Sequence, residues 1–176
     1  LALLASPGLP QPTHVSVEPD AKTHGRMIFG LPLDRPTLSR ERLEEAAVVL
    51  LAGLAAEEHA LGPDGDAMTL SDAGANGDLR NLARLLVAHG VKGDEADALT
   101  KSATARARRM VVRAWTLLDG MADVLDRLGA FGPEEIQQVR LGLLAYTSAK
   151  NDTYAALART LKTVVSEMGV ERAVQA

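Results

Sequence analysis

The chain has 176 residues and a mass of 18.6 kDa, which suits one domain with its own hydrophobic core. It contains no cysteine, which excludes disulfide frameworks, thiolate zinc sites and cysteine nucleophiles, and which fits the cytoplasmic location that we expect. The net charge of −4 and the 3% aromatic content argue against a nucleic-acid-binding surface. No apolar run approaches the roughly 20 residues that a membrane span needs.

The N-terminal part of the chain predicts a small β element. Residues 1–5 read as the tail of a helix that ends before Pro7 and Gly8. Residues 14–19 alternate weakly and predict a short strand, and residues 26–31 predict a second strand before Pro32. Two strands alone are marginally stable, so this hairpin is expected to lie on helices or to pair with a further strand.

The next segment predicts a strong amphipathic helix over about residues 39–61. Ser39 is a suitable N-cap, and Gly62 followed by Pro63 ends the pattern. Apolar residues recur at helical spacing at Leu43, Ala46, Ala47, Leu50, Leu51 and Leu54. Residues 62–77 predict a long loop, a feature that is more often functional than idle. A shorter helix is predicted over 77–89, before Gly90.

Two further helices complete the prediction. A long helix over about 95–128 carries an apolar stripe and ends at Gly129, which suits the residue after a helix. Pro133, followed by two glutamates, begins another helix that extends to about residue 168, with a break near 147–151. The predicted fold is therefore mainly α, a helical bundle with a small N-terminal β-hairpin element.

Few residues carry recognisable chemistry by pattern alone. The histidines at 14, 24, 59 and 89 are not spaced as helical metal ligands, and the sequence has no HExxH motif and no phosphate-binding loop. Arg106, Arg108, Arg109 and Arg113 form a basic cluster on the long helix. We interpret the cluster as a solvated face or as ion pairs with other helices.

Several segments, in order, resemble a known family. Residues 51–62 read LAGLAAEEHALG, residues 13–19 and 25–32 match two strand patterns, residues 74–79 read GANGDL, and residues 81–84 read NLAR. A closing helical pattern follows over 105–136. These segments resemble the peptidase domain of FtsH-type ATP-dependent zinc metalloproteases, with its GGRxAEExxxG and GASxD[IL] motifs.

The resemblance implies a zinc site and a hydrolase activity on polypeptides. In the family, two histidines of HExxH and a later aspartate bind zinc, and the intervening glutamate activates water. Asp78 matches the aspartate ligand; the alternative is that it caps the helix that follows the loop. Glu57 and Glu58 match the family's paired glutamates, which would support the metal ligands, or they belong to an ordinary acidic helix face.

The sequence also departs from the family pattern. HExxH is absent, so the chain as it stands holds no general base, and its first residues resemble the end of the helix that carries the motif. The helix after Asp78 is about four residues shorter than usual before NLAR, and an alignment anchored on NLAR would place Ala75 opposite the ligand instead. No ATPase module is present, so an attached or partner AAA module, or a homo-oligomer, is a possible partner.

These observations leave three hypotheses. The first is an FtsH-like zinc metallopeptidase domain over residues 1–138 without its HExxH helix, followed by a C-terminal helical extension over 139–176. The second is a catalytically inactive relative that serves as a binding or scaffold module. The third is an unrelated helical interaction domain. All three predict no membrane segment and no nucleic-acid partner.

Overall fold

The computed structural model describes residues 6, 8–17, 26–34, 36–62 and 72–149. Within these ranges the protein is mainly α, as predicted, and it has four helices and three short strands, one strand more than predicted. In chain order the elements are β1 (His14–Ser16), β2 (Arg26–Ile28), α1 (Arg40–Leu61), α2 (Asp72–Ala88), α3 (Gly93–Leu128), β3 (Ala130–Phe131) and α4 (Pro133–Ala149). No helix in the described part of the chain is long and apolar enough to cross a membrane.

The described residues form two compact units, which share α3. One contains the three strands, the part of α3 from Ala114 onward and α4. The other contains α1, α2 and the part of α3 up to Arg113. Each unit is described by itself below.

The strands form an antiparallel sheet in the order β2-β1-β3. The predicted hairpin is confirmed, although both strands are shorter than predicted: Val15 lies opposite Met27 in β2. On its other side Val15 lies opposite Phe131, so β3 supplies the further strand that the hairpin needed. The Ser16 hydroxyl donates to the Gly129 carbonyl over 3.2 Å, which ties β1 to the end of α3.

Helix α1 begins and ends where its local signals predict. The Ser39 side chain accepts a hydrogen bond from the Arg42 N–H, and Gly62 ends the helix at a φ of 70°. The buried surface is wider than the predicted stripe, because Val48 and Val49 are buried as well. A helix that is apolar on several faces is buried on several faces, and α1 accordingly supplies much of the core of its unit.

Helix α2 begins earlier than predicted, which corrects the interpretation of residues 72–77. They belong to the helix and not to a loop, since α2 starts at Asp72. The sequence Asp-Ala-Gly-Ala-Asn-Gly is rich in residues that favour loops, but it contains two alanines, which favour helix, and it continues directly into the rest of α2. Leu82, Leu85 and Leu86 form the buried face of α2.

Helices α3 and α4 confirm the predicted boundaries that fall in the described ranges. Gly129 has a φ of 75°, the left-handed conformation that ends α3. Pro133 is the first residue of α4, and Glu135 accepts a hydrogen bond from the Gly132 N–H over 2.8 Å. The predicted break near 147–151, the helix beyond it and the tail of a helix over 1–5 lie wholly or mainly outside the described residues.

Candidate functional site

Three of the residues singled out in the sequence lie where α1 packs against α2. Glu57 and Glu58 lie in the last turns of α1, and Gly53 lies one turn before Glu57 on the same side of the helix. Asp78 lies six residues inside α2, which begins at Asp72. The interpretation of Asp78 as a helix cap is therefore wrong, because a capping side chain must precede the first turn.

The Asp78 carboxylate lies over Gly53 of α1. A Cβ atom built on Gly53 would be 3.6 Å from Asp78 Oδ2, which is an ordinary van der Waals distance. The missing side chain at residue 53 leaves the carboxylate close to the α1 backbone. Asp78 is consequently half-buried, between two helices rather than in open solvent.

Burial and a neighbouring carboxylate both disfavour the charged form of Asp78. Desolvation by burial raises the pKa of Asp78 above its ordinary value of 3.8, and the nearby charge of Glu57 raises it further. The Asp78 carboxylate on α2 therefore lies near enough to Glu57 on α1 to be affected by its charge.

The hydrogen bonding of the Glu57 carboxylate is incomplete among the described residues. Its Oε2 atom is buried and has no hydrogen-bond partner among the described residues. A buried carboxylate oxygen normally accepts at least one hydrogen bond. Glu57 and Asp78 thus combine a buried acceptor with a carboxylate of raised pKa, and perturbed carboxylates of this kind cluster at functional sites.

Glu58 is directed elsewhere, although it is the next residue in the chain. Its two carboxylate oxygens accept hydrogen bonds from Arg108 of α3, over 2.8 Å to Nε and 3.0 Å to Nη2. This bidentate pair raises the pKa of Arg108. One interpretation of the basic cluster was that its arginines form ion pairs with other helices. The pair with Glu58 of α1 confirms that interpretation for Arg108.

The described histidines do not approach the carboxylate pair as a ligand set. His89 is held in place by backbone groups: its Nε2 accepts from the Leu38 N–H over 3.2 Å, and its Nδ1 lies 2.9 Å from the Leu85 carbonyl. His59 is exposed in the last turn of α1, and His14 lies in β1. Among the described residues no three His, Asp or Glu side chains are grouped so that they could hold a metal ion.

Sequence reasoning missed one concave feature of the same unit. A cavity of about 190 Å³ lies between the start of α1 and α3, lined by Arg40, Glu44, Ala98, Leu99, Ser102, Ala103 and Arg106. Arg40 forms ion pairs with Glu44 and with Glu95. The i, i+4 spacing of Arg40 and Glu44 is visible in the sequence, but the partner on α3 is not.

No family model, curated protein or solved structure matches this chain in sequence or in fold. The resemblance to the FtsH-type peptidases therefore rests on the motifs given above.

Proposed function

We propose that this chain contains part of an FtsH-type zinc metallopeptidase site, in which Asp78 is a zinc ligand and Glu57 supports it. The substrate class that the resemblance implies is unfolded polypeptide. The observation that carries the proposal is the position of the Asp78 carboxylate, which lies over Gly53 of α1 and near the charge of Glu57, with Asp78 and Glu57 at two positions that match the family's motifs.

The side chains present fit part of a zinc ligand set. Zinc accepts carboxylate oxygens alongside histidine nitrogens, and Asp78 offers such an oxygen. The buried Oε2 of Glu57, which lacks a hydrogen-bond partner among the described residues, is available to an ordered water or to a group near the metal. A cation beside the pair would also reverse the electrostatic cost that raises the pKa of Asp78.

Each residue has a separate role in this proposal. Asp78 binds the metal through a carboxylate oxygen, and Gly53 keeps space for that carboxylate against α1. Glu57 orients the ligand environment from the neighbouring helix. Bound zinc would supply a Lewis acid and lower the pKa of its water, whereas the two histidines and the general base that the resemblance implies are not among these 176 residues.

A specific observation also supports the second candidate, a catalytically inactive module of the same fold. The sequence contains no HExxH, and the described residues hold no group of three metal-binding side chains. The inactive module would keep the packing of α1 on α2 and lack the hydrolytic step.

The test compares metal retention and proteolysis in the full-length product of the gene, with whatever residues it encodes ahead of Leu1. After zinc loading and desalting, we expect about one zinc per chain and casein hydrolysis that a chelator abolishes. D78N should lower the zinc affinity by at least about 10-fold, and E57Q should lower it by about 10- to 100-fold at most, as supporting groups do.

Glu58 provides a matched control, because it is adjacent to Glu57 but bound by Arg108. E58Q should leave zinc retention unchanged. Protein that stays metal-free after zinc loading, or a D78N variant that retains zinc normally, would overturn the assignment of Asp78. Zinc retention without any hydrolysis would select the inactive module instead.

A further inference from the structure

The cavity between the start of α1 and α3 combines an apolar lining with charged side chains. It lies within one compact unit, because α1 and the part of α3 up to Arg113 belong to the same unit. Two of its lining residues, Leu99 and Ala103, are only 5% and 3% exposed, and they form its apolar floor. The cavity volume of about 190 Å³ is smaller than that of sites for drug-sized ligands, so the cavity suits a small molecule.

Three side chains that line the cavity have hydrogen-bond donors that the described part of the chain does not use. Arg106 is exposed and forms no ion pair or hydrogen bond there. The hydroxyl of Ser102, one turn earlier on the same side of α3, likewise has no hydrogen-bond partner there. Arg40 donates from Nε to Glu44 and from Nη1 to Glu95, which leaves its Nη2 group available.

The charges of the lining are not balanced. Glu44 is its one acidic side chain, and Glu44 Oε1 already accepts a hydrogen bond from Arg40 over 3.1 Å. Arg40 also binds Glu95, which does not line the cavity. Arg106 is therefore the charge of the lining that lacks a counter-charge. Arg109, three residues later on the same side of α3, is exposed and also unpaired within the described residues, so it adds to the positive potential.

This combination of donors matches the chemistry of an oxyanion. A guanidinium presents its N–H groups in a fixed fork that fits two oxygens of a carboxylate or a phosphate. The Ser102 hydroxyl and the Nη2 group of Arg40 can donate to further oxygens. The buried surfaces of Leu99 and Ala103 offer contact to an apolar group, which gains free energy by leaving water.

We propose that this cavity binds a small organic oxyanion, either a phosphate monoester or a carboxylate. Arg106, Ser102 and Arg40 bind the oxyanion, and the apolar part of the ligand lies on the floor of the cavity. The proposal does not depend on the zinc site, which uses other residues of α1 and α2. Because the attraction is between charges on an open surface, binding should weaken as salt is added.

Four related probes test the two parts of the ligand separately. The isotope-labelled 176-residue chain is titrated with n-butyl phosphate, butyrate, inorganic phosphate and n-butanol, and NMR shift changes at the Ser102 amide and at the Arg106 Nε–H report binding. The tighter of the two butyl anions should bind at least about 10-fold more tightly than butanol, which lacks the oxyanion, and than inorganic phosphate, which lacks the apolar group.

The comparison of n-butyl phosphate with butyrate identifies which oxyanion the cavity prefers. Butanol binding as tight as that of both anions would overturn the role of the arginines. Inorganic phosphate binding as tight as that of butyl phosphate would overturn the role of the apolar floor. The absence of shift changes with all four probes would overturn the proposal as a whole.

Substitution of Arg106 tests the central contact. R106Q should raise the dissociation constant of the preferred anion by about 10-fold or more. R106K should raise it less, because lysine keeps the charge but not the fork. K101Q is the matched control, since it removes one positive charge from an exposed position about 140° around α3 from Arg106, and it should leave binding unchanged. Equal losses in R106Q and K101Q would show a general effect of charge and would count against the site.

A second variant blocks the cavity without altering any charge. Ala98 lines the cavity and is exposed, so A98L should obstruct the ligand while α3 remains folded, since leucine favours helix nearly as well as alanine. A105L adds the same side chain at an exposed position of α3 outside the lining, and it should bind the anion normally. An A98L chain that binds the preferred anion as tightly as the natural chain would refute the assignment of the ligand to this cavity.

Discussion

The contact between Gly53 and Asp78 gives a sharp test of the candidate site. Gly53 lies in the interior of α1, where replacing glycine by alanine normally stabilises a helix by about 1 kcal/mol. The new methyl group would lie 3.6 Å from Asp78 Oδ2, so it fits without steric strain. It would, however, remove water from a carboxylate whose charged form burial already disfavours.

The expected result is a gain that depends on the charge of Asp78. In the D78N background, G53A should raise the free energy of unfolding by the full ~1 kcal/mol. In the natural background at pH 7 the gain should be smaller by at least about 0.5 kcal/mol, a coupling typical of residues in contact. Urea unfolding followed by circular dichroism measures the free energy of unfolding of the natural chain, G53A, D78N and the double variant G53A/D78N.

The sign of the pH dependence follows from the raised pKa. Because the pKa of Asp78 in the folded chain lies above its ordinary 3.8, the folded chain binds this proton more tightly than the unfolded chain does. The stability that the neutral carboxyl contributes is therefore fully present below pH 3.8 and is lost as the pH rises through the folded-state pKa. The gain from G53A in the natural background should accordingly increase as the pH is lowered.

Gly77 supplies the matched control, since it lies inside α2 and a Cβ on it would meet no side chain within 4 Å other than those of its two chain neighbours. G77A should stabilise the chain by ~1 kcal/mol whether residue 78 is Asp or Asn. If G53A also gave the same gain in both backgrounds, the Gly53 backbone and the Asp78 carboxylate would not be in contact, and the reasoning about the site would be refuted.

Three further predictions concern the surrounding scaffold. A double-mutant cycle on Glu58 and Arg108 should give a coupling of about 0.2–1 kcal/mol that falls as salt is added, because both side chains are partly exposed; a larger, salt-independent coupling would contradict this. L85A should cost about 2–5 kcal/mol in urea unfolding, since Leu85 is 0% exposed, whereas V87A on the same helix should change stability by at most about 0.5 kcal/mol; equal losses would disprove the assigned faces of α2. S39A should cost about 1 kcal/mol through loss of the α1 cap, and unchanged stability would show that the cap contributes nothing.

The sequence correctly predicted those helix boundaries and buried positions that depend on residues close together in the chain. Ser39 begins α1, Gly129 ends α3 and Pro133 begins α4 because each signal acts on backbone groups within one turn of itself. The apolar period of α1 also depends only on residues that are near one another in the chain, and it identified most of the buried residues of that helix. It could not identify Val48 and Val49 as buried, because their burial depends on what packs on the other faces of the helix.

The pairing of the strands shows the same limit. The hairpin of β1 and β2 connects segments that are close in sequence, and it was predicted. The third strand, Ala130–Phe131, is only two residues long, and it pairs with residues more than 100 positions earlier in the chain. So short a strand has no periodic pattern of its own, and only the folded chain brings its partner near.

The carboxylates of the candidate site show most clearly which features follow from the sequence and which follow only from the tertiary structure. The sequence determined that Glu57, Glu58 and Asp78 are present and that the first two lie on one helix, since these facts follow from residue type and local period. Only the tertiary structure separated the adjacent glutamates, directing Glu58 to Arg108 and bringing Glu57 near Asp78. The physical reason is that successive residues of a helix point about 100° apart, so that each meets whichever helix packs on its own side.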